Sequence, residues 1–459
     1  MKEVSGVAPR ISMGTKLKYG AADFGLSMLT AFLQFYIVFY YTDAVRINPA
    51  LVGTAMLVGK LTWDLINDVL CGYISDRTKT RWGRRRPYLV ICAVPLFLSF
   101  WLLLSLPAGM REVAAFFAII GTFWLFDTFH TMITMAYTAM TPELTLDYNE
   151  RTRLTTVRMI FNATGYIFGA GLTTLLVSIF RESLSLSEGG AWSGVGFVFG
   201  LLAAITALIT GLFVRQKPVI EPEPTKLPPI KAVLSTFKNK PFMKYALIQM
   251  IMSVSFTMVT AMMPFYIKYQ LDMEPVTFII MFVMLATLTI ALVPCGKVAG
   301  RLGKGKTYAL GLGIACVALL IAFVLPPGQT RLIYAIAVVA GLGFSSQWVC
   351  PHSMMPDVIE YDELLTGERR EGLYYGMITM LTKITGALGT AIVGWNLALF
   401  GFIADAEQTA TSLLGIRFGF AIIPAVLLII CLPLLIRYPI TRESHAAVLE
   451  ELSERRKKQ

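Results

Sequence analysis

LVGTAMLVGKLTWDLINDVLCGYI, residues Leu51–Ile74, is an apolar run long enough to cross a bilayer as a helix. It nevertheless carries Lys60, Asp64 and Asp68, spaced four apart so that they follow one helix face, with Asn67 beside them. Charges at membrane depth cost roughly 2.5–3.5 kcal/mol each on insertion scales and usually face a bundle interior or a water-filled cavity. One lysine cannot neutralise two carboxylates, so the pattern predicts a bound cation. A buried Lys–Asp ion pair that only joins helices is the alternative.

The composition of the whole chain agrees with a membrane location. Of its 459 residues, 56% are hydrophobic and 15% charged, and the mean hydropathy is +0.65. Soluble domains carry about 25% charged residues, so we predict a polytopic membrane protein. The six cysteines form no CxxC pair, which predicts neither a metal site nor a disulfide framework. The polar, basic N-terminus predicts no cleaved signal peptide.

Twelve apolar segments follow one another along the chain. They cover approximately residues 19–41, 50–75, 87–106, 113–140, 155–180, 193–214, 242–268, 276–297, 307–326, 332–356, 372–402 and 410–436. The longest polar interruption, 215–241, is rich in proline and charge and leaves six segments on each side. We therefore predict an all-α membrane protein with twelve transmembrane helices in two six-helix bundles, and the predicted divisions are 1–214, the linker 215–241, 242–436 and the tail 437–459.

The distribution of positive charge predicts the orientation. With the N-terminus inside, 32 of the 40 Lys and Arg residues fall in inner segments, 6 fall in outer loops, and Lys60 and Lys383 lie within the membrane. This asymmetry predicts cytoplasmic termini. It also accounts for the net charge of +11 without a nucleic-acid partner.

Two inner loops half a chain apart are similar. One reads GYISDRTKTRWGRRRPY from Gly72 and the other GKVAGRLGKGKTY from Gly296. The first resembles the motif G-x-x-x-D-R-x-G-R-R of the major facilitator superfamily, with a longer spacing between its two halves. The resemblance implies a gating latch, and a plain basic anchor is the alternative. The predicted gating residues are Asp76, Arg77, Arg84, Arg85 and Arg301.

Polar residues at membrane depth supply the ligands of a hard cation. Na⁺ and Li⁺ prefer oxygen, and Asp64, Asn67, Asp68 and Thr131 offer it. Alternatively, Asp64 and Asp68 share a proton, because like charges held close raise the pKa of one carboxylate. Lys383 is a candidate internal cation that pairs with the aspartates when the site is empty.

The detailed resemblance is to the glycoside–pentoside–hexuronide cation symporters, the melibiose-permease family. It is clearest in KLKYG, YYTD, the long stretch with W-D-x-x-N-D and R-W-G-x-x-x-P, and PDVIEYDEL, which are residues Lys16–Gly20, Tyr40–Asp43, Leu57–Tyr88 and Pro356–Leu364. The resemblance implies that the cation ligands are Asp64, Asn67, Asp68 and Thr131. It places Arg158 and Trp348 near the sugar and implies that the family's segment 11 lysine corresponds to Lys383.

The residues that hydrogen-bond the sugar in that family, here called the sugar clamp, are different in this chain. Where melibiose-type members have carboxylates in segments 1 and 4, this chain has Ser27 and Thr134. Asp23 lies one turn before Ser27, and Asp127 lies two turns before Thr134. We predict that these residues contact a displaced or different substrate, and a structural role is the alternative. The full set of predicted substrate residues is Asp23, Ser27, Asp127, Thr134, Tyr137, Arg158, Trp348 and Lys383.

The predicted function is cation-coupled import of a glycoside, pentoside, hexuronide or related sugar by alternating access, with the substrate between the two halves. The alternative is a Na⁺-dependent lysophospholipid symporter of the same branch, which PHSMMPDVIE (Pro351–Glu360) also resembles. An enzyme is not expected, because no nucleophile motif or metal cluster occurs. We expect no cofactor beyond the coupling ion (Na⁺, H⁺ or Li⁺, with Asp64 and Asp68 as the metal ligands for Na⁺), a monomer in membrane lipid, and a bacterial inner membrane. The acidic stretch Asp357–Gly372 is expected to be a solvated loop or a gate-closing ion pair.

Overall fold

The computed structural model describes residues 11–78, 80–145, 148–214, 236–237, 239–273, 276–327, 330–368 and 370–458. Regular structure in these residues is helical, and none of them lies in a β-strand. A helix satisfies its own backbone hydrogen bonds, which a bilayer interior requires because it contains no water. The predicted all-α class is confirmed.

The chain divides into two compact units, Met1–Pro222 and Glu223–Gln459. The helices of the first unit are α1 (Met13–Phe39), α2 (Pro49–Gly59), α3 (Leu65–Arg77), α4 (Arg86–Ile91), α5 (Ala93–Leu103), α6 (Glu112–Leu144), α7 (Tyr148–Glu182) and α8 (Glu188–Phe213). Within this unit α1 packs against α7 and α8, and α6 packs against α2, α3 and α5.

The helices of the second unit are α9 (Lys240–Phe265), α10 (Thr277–Leu302), α11 (Lys304–Val324), α12 (Thr330–Thr366), α13 (Glu371–Leu399), α14 (Ala410–Arg417), α15 (Ile423–Ile436) and α16 (Arg442–Lys458). Here α9 packs against α13 and α15, α12 packs against α10 and α11, and α16 contacts α12. The order of helix contacts therefore follows the same pattern in the two units.

Ten helices within the described residues are long and apolar enough to cross a membrane. They correspond to predicted segments 1 and 4 to 12. Predicted segment 3 is split at Cys92 into α4 and α5. Predicted segment 2 is interrupted by a π-helical turn, Lys60–Asp64, between α2 and α3. The count of twelve spans therefore stays a prediction.

The π turn changes the spacing argument for segment 2. A π turn holds one more residue than an α turn, so the helix before it is rotated relative to the helix after it. The rule that residues four apart share a face applies from Asp64, the N-cap of α3, to Asp68 in its first turn. The rule does not extend across the π turn to Lys60. The prediction that Lys60 lies on that face assumed an uninterrupted α-helix.

The helices α1 and α9, the first long helices among the described residues of each unit, end in the same way. A π turn closes α1 at Tyr40–Ala44 and α9 at Tyr266–Gln270. The next residue donates its N–H to the first carbonyl of the turn, Val45 to Tyr40 and Leu271 to Tyr266, at 3.0 and 3.1 Å. Each turn is followed by a residue with positive φ, Arg46 at 63° and Asp272 at 55°. This shared local geometry is a second similarity between the halves, beyond the two inner loops.

Close helix packing in the first unit depends on two glycines of α7. A Cβ at Gly165 would lie 2.1 Å from the carbonyl oxygen of Phe24, and one at Gly169 would lie 2.1 Å from that of Met28. Both neighbours are backbone atoms of α1, so α1 and α7 approach closely only because these positions lack side chains. Small residues four apart are a common means of bringing membrane helices together.

Candidate functional site: two buried polar clusters of the first unit

The first cluster joins α3 to α6 through a carboxamide and a carboxylate. The Nδ2 of Asn67 donates to Oδ2 of Asp127 at 2.8 Å and to the backbone carbonyl of Asp127 at 3.2 Å. The hydroxyl of Thr131 donates to Oδ1 of Asp127 at 3.5 Å, the long end of hydrogen bonding. These side chains are buried: Asn67 is 2% exposed, Thr131 6% and Asp127 8%. Two of the predicted cation ligands, Asn67 and Thr131, therefore lie together.

The two aspartates predicted as cation ligands flank this cluster in sequence. Asp64 closes the π turn and is buried, at 8% exposed. Asp68 lies in the first turn of α3, one residue after Asn67, and is half-buried. The thiol of Cys71, one turn further, donates to Oδ1 of Asn67 at 3.1 Å. Hard cations bind the oxygen atoms of carboxylates, amides and hydroxyls, and this part of the unit contains all three.

Two tryptophans hold the π turn against α6. The rings of Trp63 and Trp124 stack with centroids 5.4 Å apart. The indole N–H of Trp124 donates to the carbonyl of Gly59 at 3.0 Å, and that of Trp63 donates to the hydroxyl of Thr128 at 2.9 Å. A π turn leaves carbonyls without the usual α-helical partner, so the indole at Gly59 stabilises the irregular backbone. These contacts fix the backbone that carries Asp64.

The second cluster is an ion pair between α1 and α7. The Nε of Arg158 lies 2.7 Å from Oδ2 of Asp23, and the hydroxyl of Tyr137 donates to the same oxygen at 2.8 Å. The Nη1 of Arg158 donates to the hydroxyl of Thr141 at 2.8 Å, and Tyr19 hydrogen-bonds that hydroxyl at the same distance. The guanidinium also lies 4.7 Å from the centroid of the Tyr137 ring, in the range of a cation–π contact.

Three predicted substrate residues, Asp23, Tyr137 and Arg158, are thus in mutual contact. Their partners in this structure are protein groups, which supports the structural alternative for Asp23 as much as a substrate contact. The sequence analysis did not single out Tyr19 or Thr141. Neither is charged, and only the packing of α1 against α6 and α7 reveals them.

Ser27 and Thr134, the two departures from the melibiose-type clamp, differ in their surroundings. The hydroxyl of Ser27 lies 2.6 Å from the carbonyl of Asp23 and 2.9 Å from that of Asn162, so it faces backbone of α1 and α7. The hydroxyl of Thr134 is buried and has no hydrogen-bond partner among the described residues. An unsatisfied buried hydroxyl is costly, so Thr134 is the better placed of the two to meet a ligand. Substrate contact by either residue stays a prediction.

The remaining predicted substrate residues, Trp348 on α12 and Lys383 on α13, belong to the second unit and are half-buried. Their approach to Asp23 or to the aspartates of α3 stays a prediction. Among the predicted gating residues, the side chains of Asp76 and Arg77 lie outside the described residues. Arg85 is buried and donates to the hydroxyl of Ser75. Arg84 is half-buried and Arg301 is exposed.

The acidic stretch at the end of α12 is not a solvated loop, so that expectation was wrong. It is helical as far as Thr366, and Asp357, Asp362 and Arg370 are buried at 7%, 2% and 7% exposed. Arg370 binds Asp362 at 2.7 Å, and Lys304 binds Asp357 at 2.7 Å. These carboxylates are buried because each has a cation partner, which offsets the desolvation of the charge.

His445 of α16 joins the same end of the second unit. Its Nε2 lies 2.6 Å from Oε2 of Glu360 and 3.5 Å from Oδ1 of Asp357. Three side chains here have ligand atoms close enough together to hold a metal ion, namely those of Asp357, Glu360 and His445. The ammonium of Lys304, however, lies 2.7 Å from both oxygens of Asp357. We therefore interpret the group as an ion-pair network that fastens α16 to α12.

Buried ionisable groups on apolar helices are typical of substrate and ion pathways in membrane proteins, and comparison with known proteins identifies the class. Residues 18–442 match the family described as MFS/sugar transport protein. The chain belongs to this family of major facilitator transporters, and the resemblance to the glycoside–pentoside–hexuronide symporters is confirmed. Its members are transporters, so the prediction that the chain is not an enzyme is confirmed, and the chain is an integral membrane protein.

Individual proteins agree with this assignment. An uncharacterized symporter of Synechocystis sp. is 30% identical, over 98% of this chain and 98% of the relative. The candidate glycoside/cation symporter YagG of Escherichia coli (strain K12) is 25% identical, over 97% of this chain and 96% of the relative. Among solved structures, a bacterial homologue of the human lysosomal transporter Spinster, in an inward-facing and occupied conformation, has a TM-score of 0.68 at 13% identity. That match covers 94% of this chain and 97% of the other. At that identity the likeness concerns the fold alone.

Proposed function

We propose that the protein is a cation-coupled sugar symporter with twelve membrane spans in two six-helix bundles. The observation that carries the proposal is the buried cluster of Asn67, Asp127 and Thr131 beside Asp64 and Asp68. Three carboxylates on two packed segments of an apolar bundle are costly without a cation or protons. A relative at similar length that is named for glycoside/cation symport supports coupling and substrate class together.

In this proposal the cation binds at Asp64, Asn67, Asp68 and Thr131, and Na⁺, Li⁺ and H⁺ are the candidate ions. The substrate is a glycoside, pentoside or hexuronide. It binds near Thr134, Tyr137 and Arg158, where a buried hydroxyl and the Nη2 of the guanidinium have no hydrogen bond to another described residue. Sugar hydroxyls are both donors and acceptors and would satisfy these groups. The names of the family and of YagG do not favour the lysophospholipid alternative.

The proposed architecture follows the sequence divisions, with bundles at 1–214 and 242–436 joined by the linker 215–241 and followed by the tail 437–459. The positive-inside asymmetry supports cytoplasmic termini. The bundles rock between outward and inward openings when cation and sugar are both bound. We propose a monomer in a bacterial inner membrane.

The test is ligand-dependent stabilisation of the purified protein. Unfolding temperature is recorded with glycosides, pentosides, hexuronides and lysophospholipids, each with Na⁺, Li⁺ or K⁺ at two pH values. We expect one sugar class to stabilise the protein, and to do so more strongly with Na⁺, Li⁺ or protons. Asp68→Asn should abolish the cation effect. Asp43→Asn, which alters a fully buried aspartate outside the cluster, is the matched control and should retain it. Stabilisation by lysophospholipid alone would exclude a sugar substrate, and the absence of any cation or pH effect would exclude coupling.

A further inference from the structure

The carboxylate of Asp127 is the common acceptor for two predicted cation ligands on different helices. It lies on α6, one turn before Thr131 and opposite Asn67 of α3. The sequence analysis assigned Asp127 to the substrate. The structure instead gives it three contacts with Asn67 and Thr131, and all three groups are at most 8% exposed.

The orientation of the Asn67 carboxamide follows from the chemistry of its partners. Its nitrogen is a donor only and its oxygen an acceptor only. Oδ2 and the backbone carbonyl of Asp127 both lie within 3.2 Å of the nitrogen, and both are acceptors. The backbone carbonyl cannot become a donor at any pH. The amide oxygen therefore turns away from Asp127, and its neighbour there is the weakly donating thiol of Cys71.

The orientation of the Thr131 hydroxyl also follows from its hydrogen-bond partner. A hydroxyl has one hydrogen and two lone pairs, so it presents oxygen to a cation only when its hydrogen is directed elsewhere. In helices a threonine hydroxyl commonly donates to the carbonyl four residues earlier. Here it donates instead to the side chain of Asp127, four residues earlier.

We infer that Asp127 is a positioning residue of the cation site, which binds the hydrogens of Asn67 and Thr131 and so directs their oxygens to the cation. This inference rests on the proposed cation coupling. It makes Asp127 an outer partner of the ligands, in the way that carboxylates orient ligands around other metal ions. It also replaces our sequence-based assignment of Asp127 to the substrate.

The experiment titrates Na⁺, and separately Li⁺, against choline at constant ionic strength, without sugar. The readout is the half-saturating concentration K0.5 from thermal stabilisation or from intrinsic tryptophan fluorescence, to which Trp63 and Trp124 contribute. Asp127→Ala should raise K0.5 about tenfold or more, the range seen when outer partners of metal ligands are removed. In the Asn67→Ala background the same change should raise K0.5 by a clearly smaller factor, because the interaction through Asn67 is already lost.

Equal factors in the two backgrounds, or an unchanged K0.5 in Asp127→Ala, would overturn the inference. Weaker sugar binding at saturating cation, with an unchanged K0.5, would also overturn the inference. It would assign Asp127 to substrate binding. A role in folding alone would lower the unfolding temperature in choline without moving K0.5. If Asp127→Ala does not fold, Asp127→Asn replaces it. Its carboxamide has only one acceptor oxygen, so K0.5 should still rise, by less than in Asp127→Ala, and no rise would count against the inference.

The failure of this inference is distinct from failure of the proposed function. If the wild-type protein responds to no cation and to no pH change, the proposed cation site is wrong. If the wild-type protein responds and the K0.5 of Asp127→Ala is unchanged, the cation site stands and only the inferred role of Asp127 is wrong. Asp43→Asn is the control for loss of a buried aspartate elsewhere in the same unit.

Discussion

The guanidinium of Arg158 and the carboxylate of Asp23 form an ion pair at 2.7 Å between helices whose paired residues are 135 positions apart in the chain. Both side chains are nearly buried, at 12% and 9% exposed. A charge taken out of water is tolerated when a partner of opposite charge and further hydrogen bonds compensate it. Tyr137 and Thr141 supply those further bonds. This ion pair joins α1 and α7.

Removing both members of this pair should cost less than the sum of the two single removals. Asp23→Ala and Arg158→Ala each leave a buried charge uncompensated, which destabilises by about 3–5 kcal/mol in comparable pairs. The double variant should be less destabilised than the sum of the two single changes. Thermal unfolding in detergent measures all three. Strictly additive losses would mean that the two side chains do not stabilise each other.

Two glycines of α7 should tolerate no side chain. Gly165→Ala and Gly169→Ala would each place a methyl group 2.1 Å from a carbonyl oxygen of α1, which no change of rotamer relieves. We expect a loss of about 3 kcal/mol or more, or failure to fold. The matched control is Gly121→Ala on α6, where nothing lies within 4 Å of the new methyl group. It should be neutral or more stable by up to about 1 kcal/mol. Unfolding temperature and yield from membranes report both, and equal effects in the two helices would contradict the packing argument.

The ion pair between Lys16 and Glu150 should make stability depend on pH. The Lys16 ammonium, 2.9 Å away, holds the pKa of Glu150 below its ordinary value of 4.5. A carboxyl whose pKa is lower in the folded state stabilises the fold above the unfolded pKa, and that contribution is lost as the pH falls through the folded pKa. Glu150→Gln should therefore lower the unfolding temperature at neutral pH, and its deficit relative to wild type should shrink below pH 4.5.

Glu451→Gln is the control for this pH dependence, because the Glu451–Arg455 pair is half exposed and contributes little. Thermal unfolding across the pH range gives the two difference curves. A Glu150→Gln deficit that stays constant below pH 4.5 would show that the pair does not titrate with the fold.

The contact of His445 with Glu360 should hold α16 against α12. The guanidinium of Arg455 donates a hydrogen bond to the carbonyl of Leu364 at 2.8 Å. Leu452, which lies between His445 and Arg455 in the sequence, is buried. His445→Ala removes the 2.6 Å contact, and a hydrogen bond to a charged group is worth about 1.5–3 kcal/mol. Amide hydrogen exchange in residues 442–458 should then accelerate about tenfold or more. His352→Ala, at an exposed position of α12, should leave that exchange unchanged. Equal exchange rates in the His445 and His352 variants would mean that other contacts hold α16.

The sequence by itself determined the class of the protein. Long apolar segments cannot dissolve in water, and in a bilayer they must be helical because their backbone groups find no other partners. The same argument identifies Asp64 and Asp68, with Asn67 beside them, as functional candidates, since a charged residue in such a segment is costly and usually faces a bundle interior or a water-filled cavity. Family-specific strings such as W-D-x-x-N-D then indicate the branch of the glycoside–pentoside–hexuronide symporters, with sugar and lysophospholipid both left open as the substrate. These inferences need only composition, order and short spacing.

Only the tertiary structure decided which polar groups meet. Asp127 and Asn67 are 60 positions apart, and the sequence assigned Asp127 to the substrate, with a structural role as the alternative. Only the packing of α6 against α3 brings the two residues together. The four-residue spacing of Asp127 and Thr131 was the one local signal of their shared face. The π turn at Lys60–Asp64 was also hidden, because Trp124 of another helix stabilises the carbonyl of Gly59. Hydrogen bonds act over about 3 Å in space and are independent of separation along the chain, so the partners of buried polar groups follow from helix packing.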